Sequence, residues 1–156
     1  MSASFYLDTS ALVKLYHQEA GTGRMDDLFA QQDDILIISE LAVVEFYSML
    51  TRKVRTGEIT PETPAAASRS FMEDCHQRFV VAPLGSSVIQ KAKELLQTYG
   101  NTKALRTLDA LHLGACLSAL TRGELVFVSA GVRQLDIGAL EGLPVPNPEI
   151  PAEMHP

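Results

Sequence analysis

The sequence predicts an α/β fold, a three-layer α/β/α sandwich around a mainly parallel sheet of five strands. Two observations lead there. Short runs that are apolar on every residue, such as residues 5–7 and 35–38, alternate with longer segments of helical periodicity. A strand with no polar face is buried on both sides, as in a parallel sheet covered by helices above and below. A length of 156 residues with a hydrophobic fraction of 46% suits one domain with its own core.

The elements follow in order. Residues 5–7 form the first strand, and Thr9 and Ser10 are placed to cap a helix beginning near Ala11. Gly21 and Gly23 interrupt it, and a second helix carries Met25, Leu28 and Phe29 to about Gln31. "DDILIIS" is the second strand, and Ser39 caps the helix "ELAVVEFYSMLTRKVRTG", which stops at Gly57. In "TPETP", Pro61 opens a helix that runs to about Arg78. "FVVAPL" is the third strand. A helix opened by Ser86 or Ser87 stops at Gly100, and Thr107 opens another over "LDALHLGACLSALTRG". "ELVFVSA" is the fourth strand, residues 133–140 a short helix, and "LPVPNP" a fifth strand at the edge. The domain spans residues 1–148, and the proline-rich residues 149–156 are expected to form a loose tail.

Nineteen acids against thirteen Lys and Arg give a net charge of -6, which opposes loose, sequence-independent binding to nucleic acid. No residue is Trp, so platforms for stacking bases are scarce. Cys75 and Cys116 lack metal-ligand spacing and read as reduced thiols. Neither a signal peptide nor a membrane span is recognisable, so a cytoplasmic protein without a membrane partner is expected.

Three acids stand in apolar company. Asp8 falls where the first strand ends. Glu45 lies on a helix with Leu41, Ala42 and Met49 one turn away, and Asp109 lies in the first turn of a helix apolar almost all round. Each has a plain structural reading: Asp8 as a helix cap, Glu45 as half of a buried pair, Asp109 as an acid favoured by the helix dipole. Lys14 and Arg106 are near in sequence but in more polar settings. In a parallel sheet the carboxyl ends of the strands form the binding crevice, and Asp8 is placed at such an end. Were the three to meet there at roughly 5 Å, each pair would repel by roughly 3 kcal/mol. That sum, ~10 kcal/mol, rivals the stability of a whole domain, so the cluster would have to hold protons or a cation. Oxygen ligands without His or Cys suit Mg²⁺ or Mn²⁺, ions that act on phosphate esters.

"YLDTSALVKLY", "SELAVVEF", "LRTLDALHLGACL" and "LVFVSAGVRQL" followed by "EGLPVPNP" stand in the order and spacing of PIN domains, and the chain resembles the VapC toxins of toxin–antitoxin pairs over residues 5–148. The resemblance implies a PIN-like sandwich and a Mg²⁺- or Mn²⁺-dependent endoribonuclease, the toxin of a type II toxin–antitoxin pair. It places the catalytic, metal-holding acids on Asp8, Glu45 and Asp109. It also implies an RNA substrate, a cognate antitoxin lying beside the site, and a homodimer. Ser10 matches a small hydroxyl of the first motif, and Ser129 keeps the hydroxyl after the fourth strand. The fourth acid of the family falls on Gly131, which has no carboxylate. Asp136 is a poor substitute, about 7.5 Å along a helix and roughly 140° around it. The missing ligand keeps a second reading open, a PIN-fold binding module weakened in catalysis and acting through protein or RNA contacts.

Among the remaining polar residues, His112 reads as a packed core imidazole, with a catalytic histidine as the less favoured alternative. Arg106 reads either as a phosphate contact or as a solvated charge. "TRKVR", with Arg52, Lys53 and Arg55, is a basic patch that also complements a helix end. "LDTS" is also similar to the opening of haloacid-dehalogenase-like phosphatases, but these need a second Asp where Ser10 stands. A receiver domain would need an acid pair and a late buried Lys, and neither is found.

Overall fold

The computed structural model describes residues 2–119 and 123–151. Strands β1 (Ser4–Leu7), β2 (Ile35–Ser39), β3 (Phe79–Ala82) and β4 (Leu125–Val128) form one parallel sheet in the order β3-β2-β1-β4. The helices are α1 (Thr9–Leu12), α2 (Thr22–Ala30), α3 (Glu40–Arg55), α4 (Thr63–Gln77), α5 (Ser86–Tyr99), α6 (Thr107–Ser118) and α7 (Val132–Leu140). Every residue of β1 is buried, because alternate side chains enter opposite layers. Phe5 and Leu7 pack with α1 to α4, around Met25, Phe46 and Phe71. Tyr6 packs with α5 to α7, around Leu95, Leu113 and Ile137. The three-layer α/β/α architecture is therefore as the strand pattern implies.

The sheet has four strands among the described residues, where five were expected. Residues 143–147 do run beside β4: Phe127 N donates to Pro144 O at 2.9 Å and Ser129 N to Pro146 O at 3.4 Å. In a parallel ladder the returning bonds would come from the N–H groups of residues 146 and 148. Both are proline and have none, so the segment accepts bonds from β4 without donating any.

The helix starts differ in detail. Asp8, not Thr9 or Ser10, caps α1, and the helix tightens after one turn into a 3₁₀ turn over Val13–Leu15. Ser39 caps α3 by accepting from Leu41 N, as expected. Gly85 and Arg106 stand at the cap positions of α5 and α6, one residue ahead of the hydroxyls that sequence favoured.

The chain leaves the domain along an anchored path. Arg24 donates to Pro148 O at 2.6 Å, and Lys14, buried by its surroundings, pairs with Glu149 at 2.8 Å and Glu19 at 3.0 Å. The expected loose tail thus begins with a tethered residue at Glu149, and residues 152–156 lie outside the described residues. Gly21 has φ of +89°, and a β-carbon there would lie 2.7 Å from Pro148 O. Gly21→Ala is therefore expected to destabilise the domain by roughly 2 kcal/mol, combining backbone strain with the loss of this close approach. Thermal melting checks it, and an unchanged melting temperature would show that the segment after Asn147 is not seated on Gly21. Cys75 and Cys116 are both free, and among the described residues no helix is long and apolar enough to cross a membrane.

Candidate metal centre

Strand register brings the first part of the site together. β1 and β4 pair with Leu7 opposite Val128, so Asp8 and Ser129 leave the sheet side by side. Asp8 is only 3% exposed. Its Oδ1 accepts from Ser10 Oγ at 2.6 Å and Ala11 N at 3.2 Å, and its Oδ2 accepts from Ser129 Oγ at 2.8 Å. Burial pushes its pKa up from the usual carboxylate value, outweighing His112 and these hydrogen bonds, which favour the charged form. Among the described residues no Lys, Arg or His forms an ion pair with it; Lys14, the nearest cation in sequence, is engaged by Glu19 and Glu149.

Glu45 belongs to a second network, built from α3, α6, α1 and β1. His112 Nε2 lies in close hydrogen-bonding contact with Glu45 Oε1, and Thr9 Oγ1 donates to the same oxygen at 2.9 Å. Tyr6 Oη stands 2.9 Å from His112 Nδ1. The two ring nitrogens of His112 thus bridge Tyr6 Oη and Glu45 Oε1. Burial raises the pKa of Glu45, but the His112 contact and Thr9 prevail and hold it below its ordinary value. Glu45 is half-buried at the rim of a groove of about 340 Å³ that Thr9, Ser10, Met49, Arg52 and Leu108 also line.

Asp109 stands in the first turn of α6, one turn before His112, and pairs with Arg106 at 3.6 Å. Arg106 is 77% exposed in its side chain, so the pair is weak. Asp136 is turned away to Lys103, at 3.2 Å. The sequence-selected residues therefore fall into three groups: Asp8 with Ser10 and Ser129, Glu45 with Thr9 and His112, and Asp109 with Arg106. Among the described residues no three His, Cys, Asp or Glu side chains stand together closely enough to hold one ion as placed.

The PIN domain family model matches residues 5–138. The chain belongs to the PIN domain family. Solved structures similar in fold include the DNA-bound VapBC of Salmonella typhimurium, at 16% identity and a TM-score of 0.60, covering 94% of this chain and 98% of that one. VapBC2 of Rickettsia felis, bound to a promoter DNA fragment, has 14% identity and a TM-score of 0.60, covering 92% of this chain and 98% of that one. VapC20 of Mycobacterium tuberculosis, described as a sarcin-ricin loop cleaving toxin, has 15% identity and a TM-score of 0.54, covering 90% of this chain and 85% of that one. No curated protein matches the chain in sequence.

In this PIN domain the donor set fits a hard divalent cation in its chemistry. Asp8, Glu45 and Asp109 offer carboxylates, Thr9, Ser10 and Ser129 offer hydroxyls, and Asp8 is a buried acid that forms no ion pair among the described residues. No unpaired atom demands the ion, since every buried side-chain nitrogen and oxygen among the described residues has a partner. Sequence reasoning missed the parts played by Thr9, His112 and Tyr6. His112 is buried, as a core imidazole should be, yet its Nε2 faces Glu45. The available signal was a His three residues after Asp109; Tyr6, opposite it, carried none.

Proposed function

We propose that this PIN domain is a divalent-metal-dependent endoribonuclease and the toxin of a type II toxin–antitoxin pair, acting in the cytoplasm on RNA. The observation that carries the reading is Asp8: a carboxylate buried at the carboxyl end of a central parallel strand, met by hydroxyls and, among the described residues, ion-paired with no cation. Asp8, Glu45 and Asp109 would hold Mg²⁺ or Mn²⁺. When bound, the ion supplies positive charge against the phosphodiester and promotes hydrolysis by water. Ser10 and Ser129 orient both oxygens of Asp8, and Thr9 and His112 orient Glu45. Arg52, on the groove, and exposed Arg106 provide the local positive charge that an RNA strand needs on a protein of net charge -6. A cognate antitoxin is a proposed partner, in keeping with the VapBC complexes that share the fold, and a second copy of the chain is proposed as another. The nuclease domain is proposed to end at residue 148.

A second reading is favoured by the separation of the three acids and by Gly131, where no carboxylate is available. It is a PIN-fold module that binds RNA or protein without cutting. Incubation of the purified protein with Mn²⁺ and structured RNA separates the two. Cleavage that is lost in excess chelator supports the nuclease, whereas retained RNA binding without cleavage at any Mn²⁺ or Mg²⁺ concentration supports the module.

A further inference from the structure

The turn after β4 builds a hydrogen-bonded cage around Asp8. Ala130 N donates to Ser10 Oγ at 3.0 Å and Gly131 N to Ser129 Oγ at 2.9 Å, so the backbone of the turn orients both hydroxyls that grip the carboxylate. A further member comes from α7. Gln134 is 5% exposed, and its Oε1 lies 3.1 Å from Ser129 Oγ. Burying a side-chain amide is unfavourable unless it is bonded, and an aliphatic side chain would fill the space at less expense. The amide therefore calls for a polar role.

Ser129 Oγ has one proton and two acceptors, Asp8 Oδ2 at 2.8 Å and Gln134 Oε1 at 3.1 Å. Both oxygens lie within donating reach of that hydroxyl, so it is held between the carboxylate and the amide. Gln134 also closes the space beside Gly131. A β-carbon on residue 131 would lie 2.9 Å from Gln134 Oε1 and 3.3 Å from Ser129 Oγ, the first closer than side chains pack. A side chain introduced at residue 131 would thus require the Gln134 amide to shift.

We propose that Gln134 is a positioning residue of the Asp8 site, acting through Ser129, and that by filling the space beside Gly131 with an uncharged group it keeps a further carboxylate out. This deepens the reading of Asp8 as an ion-holding residue and rests on it. It is tested by Mn²⁺ calorimetry, and by melting in chelator, on the wild type, Gly131→Asp, Gln134→Ala and the double variant, with Gln134→Glu as the variant that conserves shape.

The wild type is expected to bind one ion per chain. Gln134→Ala should weaken that binding by roughly tenfold, the usual effect of losing a group that orients a ligand. Gly131→Asp alone should bind no tighter than wild type, and the double variant should bind more tightly than Gln134→Ala. Gln134→Glu, which brings a carboxylate while keeping the shape of the side chain, should tighten binding; a purely structural Gln134 would leave the ion affinity of Gln134→Ala equal to that of the wild type. In chelator, Gly131→Asp should lower the melting temperature when Gln134 is present and much less when it is Ala, a non-additivity expected of side chains that compete for one space. Additive melting effects, or a Gly131→Asp protein that binds Mn²⁺ as tightly as the double variant, would overturn the proposal while leaving the metal reading intact. Absence of Mn²⁺ binding in all five proteins would instead overturn the metal reading and the positioning role with it, and the metal-free melting cycle would still decide the spatial claim by itself.

Discussion

Asp8→Asn is expected to abolish the proposed RNA cleavage, by about 1000-fold or more, and yet to raise the melting temperature of the metal-free protein. The loss of activity follows from removing the buried charge that the ion would meet, which forfeits several kcal/mol of barrier lowering. The gain in stability follows from burial. The folded protein holds Asp8 above its ordinary pKa, so the ionised carboxylate is a burden on the fold at neutral pH. Asparagine keeps the shape and its hydrogen bonds. Its oxygen accepts from Ser10 and Ala11 N, its amide donates to Ser129 Oγ, and the Ser129 proton turns to Gln134 Oε1. A gain of about 1 kcal/mol, or ~3 °C, is expected in chelator.

The pH dependence of that gain has a defined sign. A carboxyl with a raised folded pKa contributes stability at low pH and loses it as pH rises through the folded value. The advantage of Asp8→Asn is therefore largest at neutral pH and disappears as Asp8 takes up its proton in acid. Glu45 runs the opposite way in both proteins: its lowered pKa contributes stability at neutral pH that is lost as pH falls through the folded value. Because Glu45 is common to both, the difference between the two melting curves isolates Asp8. A melting temperature that drops in Asp8→Asn, at neutral pH and without metal, would show that the buried charge is fully compensated.

Phe71→Ala is expected to produce the largest loss of stability, about 3–5 kcal/mol. Phe71 is the one buried residue of α4, and it is fully enclosed. Its ring centroid lies 4.1 Å from that of Phe46, 5.5 Å from Tyr16 and 6.4 Å from Phe79, so it joins α3, the 3₁₀ turn region and β3 in one aromatic cluster. Truncation removes the transfer energy of the ring, its aromatic contacts, and the only deep anchor of a fifteen-residue helix. The melting temperature should fall by ~10 °C, and amide exchange should accelerate in α4 ahead of α5 and α6. Phe71→Leu should lose far less, since it keeps most of the buried surface. Uniform acceleration of exchange throughout the protein would indicate that α4 is not separately anchored.

The sequence by itself determined the order of strands and helices, the parallel layered architecture and the oddity of three acids in apolar surroundings. These are local properties. Periodicity, caps and breakers act within a few residues, and a carboxylate among aliphatic neighbours is visible without knowing what it faces. The fifth strand was misjudged for a non-local reason: strand character needs donors as well as an extended path, and prolines 146 and 148 withhold them. Tertiary structure decided the partners. Asp8 meets Ser129 across 121 residues, Glu45 meets His112 across 67, and Tyr6 reaches the same ring across 106. Such contacts depend on sheet register and helix docking, which no spacing in the chain encodes. The same packing assigned Asp109 to Arg106 and put a neutral amide beside Gly131, because each buried polar group takes the hydrogen-bonding partner that folding brings within about 3 Å.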